Sequence, residues 1–355
     1  MLANLLRSIL PKSQAGPTPE QVAAAEAQFQ QRNFAAAEAV FAAMTRRTPG
    51  DGRMWLRTAV CAYELGRHEE ALDLFAKARE LQPGDGQTLY DEAVCLAQLE
   101  RYDEARARFR HLLDIHPWFD GARFALAKLD LPGPDYFANL ERQQQRLAPR
   151  TYLEIGVFTG RTLRFAGPDT QAIGVDPDPK LQFEPPPSTK VYQMTSDDFF
   201  AQHDVRALFG GRSVELGFID GMHHFEFALR DFINMERLMS PGGTILIHDC
   251  YPLDALSAAR TYREVFWSGD IWRLTLILKK YRPDLALHTL AWAPTGMGFV
   301  RNLDPASTVL FEHYDAIVAE FAALDYSVLD ADKPGMLNLF PNDAERIDAL
   351  FDGRG

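Results

Sequence analysis

Apolar and small residues in the first third of the chain recur every 34 positions. Phe41, Phe75 and Phe109 share that interval, as do Ala37, Ala71 and Ala105, and as do Pro49, Pro83 and Pro117. Phe34, His68 and Tyr102 keep the same register at a turn. Each period predicts a helix, a short turn such as Glu64-Leu65-Gly66-Arg67 or Gln98-Leu99-Glu100-Arg101, and a second helix that the proline ends. The alanines let the paired helices approach, and the phenylalanines fill the groove to the next copy. One copy cannot bury its apolar face alone, so the copies stack. Trp118 to Leu129 predicts a capping helix with Phe119, Phe124 and Leu126 on its apolar side.

The pattern changes after Leu131-Pro132-Gly133-Pro134. A polar helix around Glu141 to Arg146 leads into short apolar runs that read as strands. These are Tyr152 to Ile155, Ala172 to Val175, Lys190 to Met194, Glu215 to Ile219 and Thr244 to Ile247. Helical stretches separate them, one carrying Ala228, Leu229, Phe232, Ile233 and Leu238 on a single stripe. Such alternation argues an α/β, doubly wound, mostly parallel sheet. Further on we expect a helix with Ala258, Tyr262 and Phe266, a second ending in Lys279-Lys280-Tyr281-Arg282, and an antiparallel pair within Leu287 to Asn302. The expected divisions are a leader at 1–18, a repeat domain at 19–131, a linker helix at 132–149, the sheet domain at 150–303 and a helical tail at 304–355.

The 34-residue period, with Trp55 at an early aromatic position of the middle copy, resembles the tetratricopeptide repeat. The resemblance implies an all-α solenoid whose concave face takes a peptide or protein, or which packs into a homodimer. A net charge of −12 argues against a nucleic-acid partner. Cys61, Cys95 and Cys250 are scattered and form no CxxC pair, so neither a zinc knuckle nor a disulfide framework is suggested, and a reducing cytoplasm fits. No apolar run reaches the length of a transmembrane helix. Met1 to Leu10 is apolar but too short and interrupted for a secretory signal, and reads as a frayed leader or a small amphipathic helix.

Chemistry gathers at the ends of the predicted strands. In Glu154-Ile155-Gly156-Val157-Phe158-Thr159-Gly160 an acid precedes two glycines four apart, and helix-compatible sequence starts at Arg161. Glycine lets the backbone come close to a ligand that a Cβ would repel. Asp176 ends the second strand about 20 residues later, where an acid can accept both hydroxyls of a ribose. Nicotinamide enzymes also place an acid there, but their turn is G-x-G-x-x-G and gathers a pyrophosphate. Glu154 would repel a pyrophosphate and suits a cationic ligand.

The turn resembles motif I of the class I S-adenosylmethionine (SAM) methyltransferases, and Ser240-Pro241-Gly242-Gly243 matches that family's Pro-Gly-Gly turn. The resemblance implies a Rossmann-like sheet of seven strands. It also implies SAM as cofactor, held by Glu154, Gly156, Thr159, Gly160 and Asp176, with Ser196 and Asp197 beside the adenine. Ser196-Asp197-Asp198 also reads as a helix start.

Ile219-Asp220-Gly221-Met222-His223-His224-Phe225-Glu226 and Ile247-His248-Asp249 resemble the macrocin and cephalosporin-type branch of O-methyltransferases and, more distantly, the catechol O-methyltransferases. That resemblance implies Asp220, His223 and Asp249 as catalytic groups, and a divalent metal such as Mg2+ on Asp220, His248 and Asp249. The chain departs from the branch at Met222, where an acid is common, at Phe225, where tyrosine is common, and at His248 before the acid. Failing a metal, His223 would act as general base, because histidine titrates near neutral pH. The implied reaction is methylation of a hydroxyl on a sugar, glycan or other small molecule. Trp267 and Trp272 flank Asp270 and would either stack on an acceptor or pack as core. Three other readings remain: an NAD(P)-dependent oxidoreductase, a metal hydrolase using Asp220, His223, His248 and Asp249, and a scaffold whose methyltransferase domain has lost its activity.

Overall fold

The computed structural model describes residues 17–263 and 265–353. The leader expected at Met1 to Leu10 lies outside them. Two compact units divide the chain, one ending at Leu126 and the other beginning at Ala127.

The first unit is a series of antiparallel helix pairs: α1 (Pro19–Gln30) with α2 (Phe34–Arg47), α3 (Gly52–Glu64) with α4 (His68–Leu81), and α5 (Gly86–Gln98) with α6 (Tyr102–Ile115). The 34-residue period reaches the backbone itself. Arg32, Gly66 and Glu100 all take positive φ, at 61°, 80° and 58°, and turn each first helix into its second. The caps repeat too: Asp51 accepts from Arg53 N and Asp85 from Thr88 N. Phe41, Phe75 and Phe109 are buried to 1% exposure or less, and Ala37, Ala71 and Ala105 are sealed beside them. The division between the units falls within α7 (Asp120–Asp130). This helix starts two residues later than expected. Ala122, Leu126 and Ala127 therefore turn inward, while Phe124, expected on the apolar side, is exposed.

The second unit begins with α8 (Tyr136–Leu147), followed by β1 (Thr151–Ile155), β2 (Gln171–Asp176) and β3 (Thr189–Gln193). Next come α9 (Ser196–Gln202), α10 (Val205–Leu208), β4 (Val214–Ile219), α11 (Phe225–Glu236), β5 (Met239–Ile247) and α12 (Trp272–Tyr281). The chain closes with β6 (Ala286–Leu290), β7 (Met297–Arg301), α13 (Val309–Glu312), α14 (Tyr314–Ala322), α15 (Lys333–Met336), β8 (Leu339–Phe340) and α16 (Ala344–Phe351). The strand order is β3-β2-β1-β4-β5-β7-β6-β8. The first five are parallel, β7 is antiparallel to both neighbours, and β8 runs parallel to β6.

The sheet thus has eight strands where the pattern predicts seven. The extra one pairs only Leu339 and Phe340 with Thr289 and Leu290, too short a run for alternation to betray it. Ser240 to Gly243, expected as a turn before the fifth strand, lies inside β5, where the pairing slips between Val214 and Leu216.

One face of the sheet carries Leu153, Ile155, Ile173, Ile219 and Ile245 against α9 to α12 and α14. The other carries Tyr152, Leu216, Phe218 and Leu246 against α8 and α16. The helix expected after the glycine turn is absent from that second face. Only a 3-10 turn forms, Leu163–Phe165. Gly167-Pro168 ends the segment after six residues, and Leu140 of α8 with Ile347 and Leu350 of α16 cover the strands instead. The helix expected around Ala258, Tyr262 and Phe266 is likewise absent, and residues 250–263 and 265–271 form an irregular insert. Among the described residues no helix is long and apolar enough to cross a membrane.

Phe75→Ala should leave a cavity between adjacent helix pairs and cost about 3–5 kcal/mol. Urea unfolding of the full chain, followed by the helical circular-dichroism signal, checks this. A loss under 1 kcal/mol would mean that the ring is not a packing centre.

Candidate functional site

The carboxyl ends of β1, β2, β4 and β5 share one edge, and the acids named from the sequence lie along it. Past the strand ends, Gly156 N donates to Val175 O at 2.8 Å, Asp220 N to Ile155 O at 2.8 Å and His248 N to Ile219 O at 2.9 Å. These three bonds step the chain from strand to strand. Gly156 has φ 87°, and a Cβ there would lie 1.9 Å from the Asp220 carbonyl. Its close approach is to the protein's own backbone. Gly160 behaves similarly: a Cβ would lie 2.5 Å from the Phe183 ring and 2.8 Å from Leu181. Lys180 N donates to Phe158 O, and Gln182 N to Thr159 O, so the segment after β2 is sewn onto the glycine turn.

Asp176 clamps the same turn. One carboxylate oxygen accepts from Val157 N and Phe158 N at 2.9 and 2.8 Å, and the other from Asp178 N at 2.7 Å. Lone pairs remain on that second oxygen for a ligand. Glu154 faces the α8 side of the sheet and has no exposed surface. Its oxygens accept from the Tyr152 and Thr162 hydroxyls at 2.6 and 2.7 Å. Burial pushes its carboxyl up to about 8, further than those two hydrogen bonds pull it back. At neutral pH Glu154 is mostly a buried neutral acid.

At the start of α9, Thr195 rather than Ser196 is the cap and accepts from Asp198 N. Asp197 pairs with Arg230 at 2.7 Å, which holds its carboxyl below the usual range. Ser196 lies beside Asp231, a nearly sealed acid of α11 that burial pushes up to about 7.

Asp220, His223, His248 and Asp249 converge where β4 and β5 end. His223 Nδ1 lies 2.9 Å from Asp249 Oδ2. His248 Nδ1 sits 3.2 Å from Asp220 Oδ1 and 3.3 Å from Asp249 Oδ1. Burial by itself would lower both imidazoles, but the two aspartates outweigh it and both are held above the usual histidine range. Burial opposes ionisation of Asp249 as well, yet the imidazoles of His248 and His223 hold its carboxyl well below the usual range. Asp249 also adopts φ 64°, a conformation costly for a residue with a side chain.

Asp220, His223 and Asp249 each offer one ligand atom, all within 4.8 Å of one another. A cavity of about 10 Å³ adjoins them. Asp249 Oδ2 and His223 Nδ1 are buried and, despite their closeness, make no aligned hydrogen bond. Two carboxylates and one imidazole, with ligand atoms left unsatisfied, fit a small divalent cation. His248, expected among the ligands, lies outside that trio. Its ring packs against Tyr136 at 4.3 Å with the planes tilted by 47°, and its Nδ1 sits between the two carboxylates.

Two aromatic rings adjoin the cluster, and the sequence names only one of them. Tyr136 of α8 is 84 residues from Asp220, and only the fold brings it against His248. Trp267 stacks on the His223 imidazole at 4.9 Å with the planes 8° apart. The tryptophan pair is thereby divided, since Trp272 is buried core at 1% exposure. The signal for Trp267 was its place in the insert after the fifth strand.

Residues 153–250 match the family model of a methyltransferase domain. Residues 22–86 and 62–117 match two models of the tetratricopeptide repeat. The chain joins N-terminal tetratricopeptide repeats to a methyltransferase domain. No curated protein matches it. Among solved structures it is similar to the Arabidopsis OM64 TPR domain, at 20% identity over 31% of this chain and 90% of that one, with TM-score 0.30. It is similar to the first TPR domain of the human RPAP3 protein, at 15% identity over 31% and 87%, with TM-score 0.30. The Yersinia enterocolitica secretion chaperone SycD aligns at 18% identity over 31% and 86%, with TM-score 0.29.

The buried acid gives a pH test. The folded state keeps a proton on Glu154 up to about pH 8, whereas the ordinary value of an unfolded glutamate is 4.5. This contribution to stability is fully present below the unfolded value and is lost as pH rises through the folded one. Between these limits it falls by at most about 1.4 kcal/mol per pH unit. Glu154→Gln should therefore flatten the decline in urea stability between pH 5 and 8.5. Parallel profiles for the two proteins would show that the carboxyl is ionised in place.

Proposed function

We propose that the second unit is a SAM-dependent methyltransferase acting on a hydroxyl group. The observation that carries this reading is the Asp220, His223 and Asp249 trio, with its unsatisfied atoms, at the strand ends of a domain matched to methyltransferases. Asp176 keeps lone pairs for a ribose hydroxyl. SAM supplies an electrophilic methyl group, and a divalent cation on the trio lowers the pKa of an acceptor hydroxyl. The protein then has to align the acceptor with the donor and exclude water. Without a cation, His223 would take the acceptor proton at Nε2, because Nδ1 faces the Asp249 carboxylate and is the nitrogen that keeps its own proton. The repeat unit is assigned a peptide or protein partner, on its repeat match alone.

A second reading has an observation of its own. Phe183 and Leu181 already pack beside Gly160, and Glu154 is sealed. Were that packing permanent, the unit would be a scaffold without a donor site.

Calorimetry with SAM separates the two readings. Binding at micromolar concentration is expected, with Asp176→Ala weakening it at least about tenfold. Absence of binding favours the scaffold. Asp249→Ala should keep SAM affinity within a few-fold while abolishing methyl transfer, and EDTA should suppress transfer in the intact protein. Full turnover in EDTA would remove the cation and leave His223 as the base.

A further inference from the structure

A cleft of about 540 Å³ opens beside the aspartate–histidine cluster. It is lined by Met222 and His223 from the loop after β4, and by Tyr262, Val265 and Trp267 from the insert after β5. Three of these apolar side chains are more than half exposed: Met222 at 57%, Val265 at 59% and Tyr262 at 66%. Exposed apolar groups that converge on one cleft mark a binding surface.

The wall is anchored from behind. Asp270 has no exposed surface, and its carboxylate accepts from Phe225 N, Arg260 and Arg273. Asp270 N donates to His223 O, and a Cβ on Gly269 would lie 1.8 Å from that same oxygen. The insert is locked to the loop that carries His223.

Two polar atoms of this wall are spent, while the Tyr262 hydroxyl and the Arg263 guanidinium also line the cleft. Trp267 Nε1 donates to Ala259 O at 2.6 Å. His224 Nε2 is bonded to Arg260 O at 3.0 Å. One face of Trp267 is covered by His223, and Tyr262 meets the indole edge-on at 5.2 Å. A sugar would set several of its hydroxyls against Met222, Val265 and the spent polar atoms, each unpartnered one costing about 1–3 kcal/mol. The indole face that lies on His223 is closed to a pyranose.

We propose that this cleft seats the acceptor, and that the acceptor is an apolar or aromatic alcohol presenting one hydroxyl to the His223 side, not a sugar. The assignment rests on the methyltransferase reading for the reaction, but not for the binding. Trp267 then has two roles: it lines the cleft, and as a positioning residue it holds the His223 ring in plane.

The test uses the full chain with 2-naphthol and methyl α-D-glucopyranoside as probes, titrated by calorimetry and by ligand-observed NMR. The expected result is saturable 2-naphthol binding, weakened at least about tenfold when a charge is placed in the apolar wall. Val265→Asp and Met222→Glu supply that charge from the two walls. Both positions are exposed, so folding should survive. The glucoside should not bind. Absent naphthol binding, naphthol binding untouched by both variants, or glucoside binding lost in both would each overturn the assignment. A SAM titration of the same samples keeps the two readings apart. SAM binding without naphthol binding removes the acceptor cleft alone, and naphthol binding without SAM removes methyl transfer alone.

Discussion

The site depends on the closeness of Gly156 to the carbonyl of Asp220. Two parallel strands that finish side by side normally diverge into separate turns. Here β1 and β4 are held together past their ends, because Asp220 N donates to Ile155 O and nothing projects from Gly156 to push the two chains apart. The Asp220 carboxylate follows from that backbone contact. His248 N, bonded to Ile219 O, repeats the device one strand over and delivers Asp249. The glycine reads from the sequence as room for a ligand. In the fold, its first job is to let one loop seat another.

Charge then decides what the edge can hold. Asp249 is buried with two imidazoles against it, and all three groups favour their charged forms through one another. Glu154 lies two strands away, on β1, and is kept neutral by burial, with only hydroxyls for partners. It therefore adds no charge to the cluster where β4 and β5 end. The strained backbone of Asp249 belongs to the same arrangement. Its left-handed turn sends the carboxylate back toward His223 instead of onward along the strand.

Much of this was legible, for reasons of range. The 34-residue period rests on contacts between neighbouring copies, so Phe41, Phe75 and Phe109 announced their burial in sequence. Parallel strands ending in acids are local patterns, and Asp176, Asp220 and Asp249 fall where the runs stop. What was hidden depends on distant partners. Arg161 onward has helical composition, yet Gly167-Pro168 cuts it short and α16, nearly two hundred residues later, fills part of the gap. No local rule shows which imidazole closes the trio with the two aspartates. In the fold Tyr136 packs on the ring of His248 and Trp267 lies flat on that of His223.

The two tryptophans show how little separates core from site. Trp267 and Trp272 are five residues apart, with Ser268, Gly269, Asp270 and Ile271 between them. Trp272 opens α12 and is swallowed by the core, in edge contact with Tyr326. Trp267 precedes that helix, on backbone that Asp270 ties to the His223 loop. A buried acid shared by two arginines and a backbone amide is costly to desolvate, so its retention needs a return. Here Asp270 stiffens a loop that has no regular structure, and that loop carries the indole lying flat on His223. Rigidity borrowed from an ion network lets an irregular insert present a defined wall beside the aspartate–histidine cluster.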